Sequence, residues 1–210
     1  MKLEPIRSSI KNKFFMNRNN SKLIYFLILL MDNIEYMEFN LKKSIEVLER
    51  TPTVLEYMLR DISDDWALTN EGPDTFSPYD VIGHLIHGEK TDWVVRMEII
   101  MSEGKDKSFE PYDRFAQYEE SRGKTMNDLL TEFKSERHRT IRILLSKNLT
   151  EEDLNKKGNH PALGIVTLRQ LLSTWVVHDL THLAQISRVM AKQYKEEVGL
   201  WAEYISLLRK

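Results

Sequence analysis

The sequence predicts an all-α bundle of four helices. Four stretches carry apolar residues at helical spacing, turn-rich connections separate them, and a two-residue alternation is found only in the brief "GIVTL".

From Phe39, "FNLKKSIEVLER" places Leu41, Ile45, Val47 and Leu48 one turn apart, and "TPTVLEYMLRDI" continues with Val54, Leu55, Met58 and Leu59. Thr51-Pro52 is a helix-start signal, so residues 40 to 61 make one kinked helix or two consecutive ones. "SDDWALTNEGPDTFSP" is rich in turn formers and reads as a loop. A second helix begins at Ser77-Pro78, with Asp80 in its first turn, and runs to about residue 103. "KDKSFEPYDRFAQYEESRG" is polar and aromatic without periodicity. It is a long loop with one short helix, of the kind that covers functional sites. The third helix spans residues 125 to 147, with Thr125 and Asp128 at capping-box positions. "GNHPALGIV" is a connection, the fourth helix covers residues 167 to 193, and "VGLWAEYISLLRK" closes the chain as a short amphipathic helix.

Lys and Arg total 30 against 32 for Asp and Glu, so the chain has no basic field for phosphate backbones, and nucleic acid is not an expected partner. The absence of cysteine rules out disulfides, thiolate ligands and a cysteine nucleophile, and suits a reducing cytoplasm. Residues 1–37 read as an N-terminal extension, accessory or an upstream addition to the reading frame, ahead of a domain over residues 38–210. Its apolar run, Leu23 to Met31, is far shorter than the roughly 20 residues of a spanning helix. It also lacks a small-x-small cleavage site, so neither export nor membrane association is expected. The alternative is a protein tethered by that run.

"TWVVHDLTHLAQI" sets two histidines into an apolar helix face. His178 and His182 lie about 40° apart around the axis. Leu171, Trp175 and Val189 share that face, whereas Arg169, Asp179, Arg188 and Lys192 tend away from it. In "GHLIHGEKTDW", His84 falls with Val81, Gly88, Val95 and Ile99 on the face expected to be buried, and His87 sits about 60° away at its edge. Three neutral imidazoles from two helices form a tridentate platform for zinc or another borderline divalent ion, with positions open for water or substrate. The alternative is a set of unrelated histidines, hydrogen-bonded in the core, with His138 and His160 at the surface. A zinc protease is disfavoured, because Asp179 stands where the HExxH pattern needs the longer Glu.

At these residues the chain resembles the DinB-like superfamily, and a branch in which "GHLIHGE", "NHPALG" and "HDLTHLAQI" recur as blocks. The likeness runs from about Phe39 to the C-terminus, through "LERTP", "EGPDTFSPYDVIGHLIHGEKTDW" and "VGLWAEY". The resemblance implies an up-and-down four-helix bundle with a long crossover loop, commonly a homodimer, holding a divalent metal, zinc or nickel, through His84, His178 and His182. It also implies a metal-dependent transferase acting with a low-molecular-weight thiol, or a hydrolase, on a small-molecule substrate. The competing reading is a non-catalytic stress-response or binding module with a structural metal.

Around the ligands, Glu89 is a contact behind the ligands or a solvated surface group, and Asp179 holds an imidazole N–H or faces solvent. Gln185, one turn beyond His182, is placed to line the cavity. Trp93 and Trp175 read as core packing rather than a substrate box.

Overall fold

The long helices start where the sequence supplies a cap. In the computed structural model, which describes residues 37–208, α1 (Leu41–Leu59) opens on Asn40, whose side-chain oxygen accepts from Lys43 N. α2 (Asp64–Leu68) is a short helix in the following connection. α3 (Pro78–Thr91) opens on a capping box of Ser77 and Asp80 with Pro78 in the first turn, and α4 (Trp93–Met101) continues it past Asp92. α5 (Ala116–Glu120) lies in the long loop. α6 (Met126–Ser146) opens on the Thr125–Asp128 capping box, and α7 (Glu151–Leu154) on one of Thr150 and Asp153. An antiparallel hairpin of β1 (Lys157–His160) and β2 (Gly164–Thr167) leads into α8 (Leu168–Gln193), capped by Thr167 and Gln170. α9 (Lys195–Val198) and 3₁₀ turns over Gly199–Tyr204 and Ser206–Leu208 follow.

α1 packs on α6 and α8, and the α3–α4 arm also packs on α6 and α8. The long helices α1 and α3, next to each other in the chain apart from the short α2, therefore face each other across the bundle, as do α6 and α8, and residues 60–77 and 147–167 are crossovers. The expected four-helix bundle is formed.

α1 is one helix with Pro52 inside it rather than two consecutive ones. Proline has no N–H for the carbonyl four residues back, so Leu48 O is left without its helical donor, and Arg137 Nη1 on α6 supplies one at 2.8 Å. Three local features differ from the sequence reading. At Asp92 the backbone is distorted (φ −114°, ψ −76°) between α3 and α4, and the face buried beyond it is that of Trp93, Val94, Met97 and Ile100, one turn after another from Ile86 and Glu89, whereas Val95, expected inside, is 42% exposed. "GNHPALGIV", expected as a plain connection, lies largely within the hairpin, whose second strand falls in "GIVTL", the one stretch where an alternation is read. The C-terminal stretch forms 3₁₀ turns in place of an α-helix. The expected extension, apart from Met37, and its run Leu23–Met31 lie outside the described residues. Among the described residues no helix is long and apolar enough to cross a membrane.

The interior has two apolar clusters. One gathers Leu48, Trp93, Met97, Ile141, Leu171 and Trp175; the other Leu55, Leu85, Ile86, Leu129, Phe133 and Ile186. Along every long helix polar side chains stand between these clusters: Thr51, His87 and Glu89, Arg137, and His178, Asp179 and His182. This polar layer holds the candidate site. The long loop is drawn close to it at Gly83, where a Cβ would lie 2.5 Å from Ser121 Oγ.

Candidate metal centre

α3 contributes His84, and α8 contributes His178 and His182 one turn apart. Their Nε2 atoms converge: His178 Nε2 lies 3.1 Å from that of His84 and 3.1 Å from that of His182. Ligand nitrogens at about 2.1 Å from one ion are separated by about 3.0–3.4 Å in octahedral or tetrahedral geometry. Both separations match that spacing, and the three ligand atoms all lie within 4.8 Å of one another, so the imidazoles converge on one place where an ion could be shared.

Hydrogen bonds on the far side of two rings favour the same assignment. Gln185 Oε1 lies 2.8 Å from His182 Nδ1, and an amide oxygen there requires the proton on Nδ1, leaving the Nε2 lone pair free. Tyr112 Oη lies 3.1 Å from His84 Nδ1 and 3.4 Å from His84 O, so the phenol holds the far side of this ring as well. His178 Nδ1 is buried and has no partner among the described residues; the Trp93 ring meets this imidazole edge to face at 5.0 Å. Burial, reinforced by the neighbouring imidazoles, pushes His84 down to about 3 and His178 to about 2, and burial also lowers His182. All three are neutral at neutral pH, the form in which imidazole ligates.

Glu89 and Asp179 are placed otherwise than the sequence suggested. Both are buried, 1% and 0% exposed, and neither bonds an imidazole. They close on Arg137, itself 0% exposed. Arg137 Nη1 donates to Asp179 Oδ2 at 2.6 Å, and Nη2 to Asp179 Oδ1 at 3.0 Å and Glu89 Oε1 at 2.7 Å. Nε donates to Glu89 Oε1 at 3.0 Å. Thr140 Oγ1 and Trp175 Nε1 also donate to Glu89. Asp179 departs from the solvent side of α8 because a fully buried cation on α6 draws it in. Arg137 and Tyr112 were missed. Arg137 sits in the charged run "SERHRTIRI", but it lies one turn from Phe133 and from Ile141, on the face this helix buries; that spacing, with Pro52 orphaning a buried carbonyl, is the signal that could have found it.

His87 is buried rather than at an edge, with Nδ1 3.0 Å from Glu120 Oε1. Trp93 and Trp175 stack at 5.7 Å in the core. His138 is exposed, and His160 closes the hairpin turn; neither joins the cluster.

A family model described as the DinB superfamily matches residues 47–186. Among solved structures the chain is similar to YfiT from Bacillus subtilis, described as a probable metal-dependent hydrolase with an unusual four-helix bundle topology. The TM-score is 0.63 and the identity 21%, over 76% of this chain and 91% of that one. No curated protein matches.

Proposed function

The chain belongs to the DinB superfamily, and on that premise we propose that it is a metal-dependent enzyme acting on a small molecule, with a divalent ion, zinc or nickel, held by His84, His178 and His182. The observation that carries this reading is the convergence of the three imidazoles, with His178 Nε2 3.1 Å from the Nε2 atoms of both His84 and His182, and with Gln185 leaving the His182 Nε2 lone pair free. Such an ion supplies a Lewis acid that makes water or a thiol nucleophilic at neutral pH.

The chain's own residues prepare that chemistry. Gln185 accepts the His182 Nδ1 proton, Tyr112 contacts His84 Nδ1, both fix their ring planes, and burial keeps the imidazoles neutral. Arg114, exposed on the loop with its guanidinium 6.0 Å from the Phe76 ring centroid, places positive charge near His84, where it suits an anionic group on the substrate. Hydrolysis is the reaction supported best, because the similar YfiT is described as a probable metal-dependent hydrolase. Transfer to a low-molecular-weight thiol uses the same ligands and rests on the histidine blocks; the thiol would come from outside, since the chain has no cysteine. A cytoplasmic homodimer completes the proposal, the exposed Leu200, Trp201 and Tyr204 offering apolar surface for a second copy.

The test is turnover of simple esters and amides, and of small electrophiles with added thiol, by zinc- and nickel-loaded protein. Wild type is expected to turn over one class, and His84→Ala, His178→Ala and His182→Ala to lose it together. Undiminished turnover in any of the three contradicts the proposal. Metal loss that unfolds the chain would favour a structural ion.

A further inference from the structure

Apart from the three histidines, a cavity of about 180 Å³ lies between the start of α4, the hairpin and the first turns of α8. Its polar walls are Asp92, Arg96, His160, Gln170 and Thr174. Three of them offer donors that the protein does not use. Arg96 is 9% exposed, with Nε 2.6 Å from Asp92 Oδ1 and its guanidinium over the Phe109 ring at 5.2 Å. One edge and one face are thereby fixed, and among the described residues nothing accepts from its two terminal nitrogens. His160 Nδ1 accepts from Ala162 N at 3.1 Å and Leu163 N at 3.2 Å, which puts the ring proton on Nε2. Gln170 Oε1 accepts from Thr167 N at 2.8 Å and from Thr167 Oγ1 at 3.2 Å in the helix cap, leaving the amide NH₂. Asp92 is the one carboxylate in these walls; it is in ion-pair contact with Arg96, although its buried Oδ1 accepts no hydrogen bond among the described residues. Thr174 spends its hydroxyl proton on Gln170 O at 2.7 Å. The remaining wall is apolar, with Trp93, Phe109 and Leu163.

We propose that this cavity binds a small organic acid, its carboxylate held by Arg96, His160 and Gln170 and its hydrocarbon part against Trp93, Phe109 and Leu163. Planar guanidinium and carboxylate match two bonds at once, and the free edge of Arg96 is the edge such a pair uses. The volume lies below the roughly 300–1,000 Å³ of pockets for drug-sized ligands, which limits the occupant to a single ring or a short chain. Trp93 also touches His178, so this cavity shares a wall with the histidine cluster, but binding here requires no metal.

The test is titration of zinc-treated protein with benzoate, and with benzamide as its neutral counterpart, followed by tryptophan fluorescence. Benzoate is expected to saturate in the millimolar range or below, with benzamide at least tenfold weaker. Arg96→Met should weaken benzoate tenfold or more and erase the preference. His160→Ala and Gln170→Ala, at positions with solvent access, should each weaken it severalfold and keep the test decisive if Arg96→Met does not fold. Binding should be unchanged in His182→Ala, which separates this cavity from the proposed metal. No saturation by benzoate, equal binding of benzamide, or loss of binding in His182→Ala would overturn the proposal.

Discussion

Arg137 and the three histidines occupy the same polar layer and draw on the same helices, yet their hydrogen bonding is finished in opposite ways. All five guanidinium N–H groups of Arg137 have acceptors, on Glu89, Asp179 and Leu48 O, and both Glu89 oxygens are in turn occupied. In the histidine cluster three ring nitrogens face one another, and His178 Nδ1 has no partner among the described residues. A buried polar group without partners costs stability, so a closed network explains itself as structure, and an open one calls for something from outside.

The largest effect should separate the two clusters by stability. Arg137→Met strands two buried carboxylates and the Leu48 carbonyl and should cost about 3–5 kcal/mol in urea unfolding. Adding Glu89→Leu and Asp179→Leu removes those charges and should restore most of the loss. The histidine variants should cost about 1–2 kcal/mol each without metal, since they break no closed network. A histidine variant as damaging as Arg137→Met would erase the distinction.

A smaller effect tests the groups behind the ligands. Tyr112→Phe and Gln185→Leu should each weaken zinc about 10–100-fold in competition with a chromophoric chelator, with unfolding of the metal-free protein little changed. Unchanged affinity in both would mean that the ring planes are fixed by packing alone.

The smallest effect contrasts two acids by pH. Glu71 is gripped by Arg188 at 2.8 Å through two nitrogens and by Lys192 at 2.8 Å, and the hydrogen bonds from Arg188 lead in lowering it from the ordinary 4.5 to about 2. Its folded form releases the proton more readily than the unfolded chain, so its contribution is present above pH 4.5 and is lost as the pH falls towards 2. Glu89 is raised by burial, so its contribution runs the other way, present in acid and lost as pH rises through the folded value. Glu71→Gln should flatten the acid limb of stability in chemical unfolding, and Glu89→Gln should leave that limb in place.

The sequence made the helices legible because their signals are local. The Ser77–Asp80 and Thr125–Asp128 caps stand within three residues of the apolar faces they introduce, and the histidine spacing placed three rings on buried faces. What escaped depends on distant partners. α3 is buried nearly all round while α4 buries only the Trp93–Met97–Ile100 face, and which side stays covered depends on the elements packed against it. Glu89 and Asp179 are charged, and only Arg137 on another helix makes their burial affordable. Tyr112 reaches His84 from an aperiodic loop whose path no local pattern specifies.

The central claim is that the three histidines share one ion, and elemental analysis of untagged protein after equilibration with limiting zinc and exhaustive dialysis tests it most directly. Wild type should retain one equivalent per chain, and His84→Ala, His178→Ala and His182→Ala should each retain little while staying folded, because two imidazoles do not hold the ion that three hold. Near-stoichiometric zinc in any one of the three variants, or none in the wild type, would contradict it.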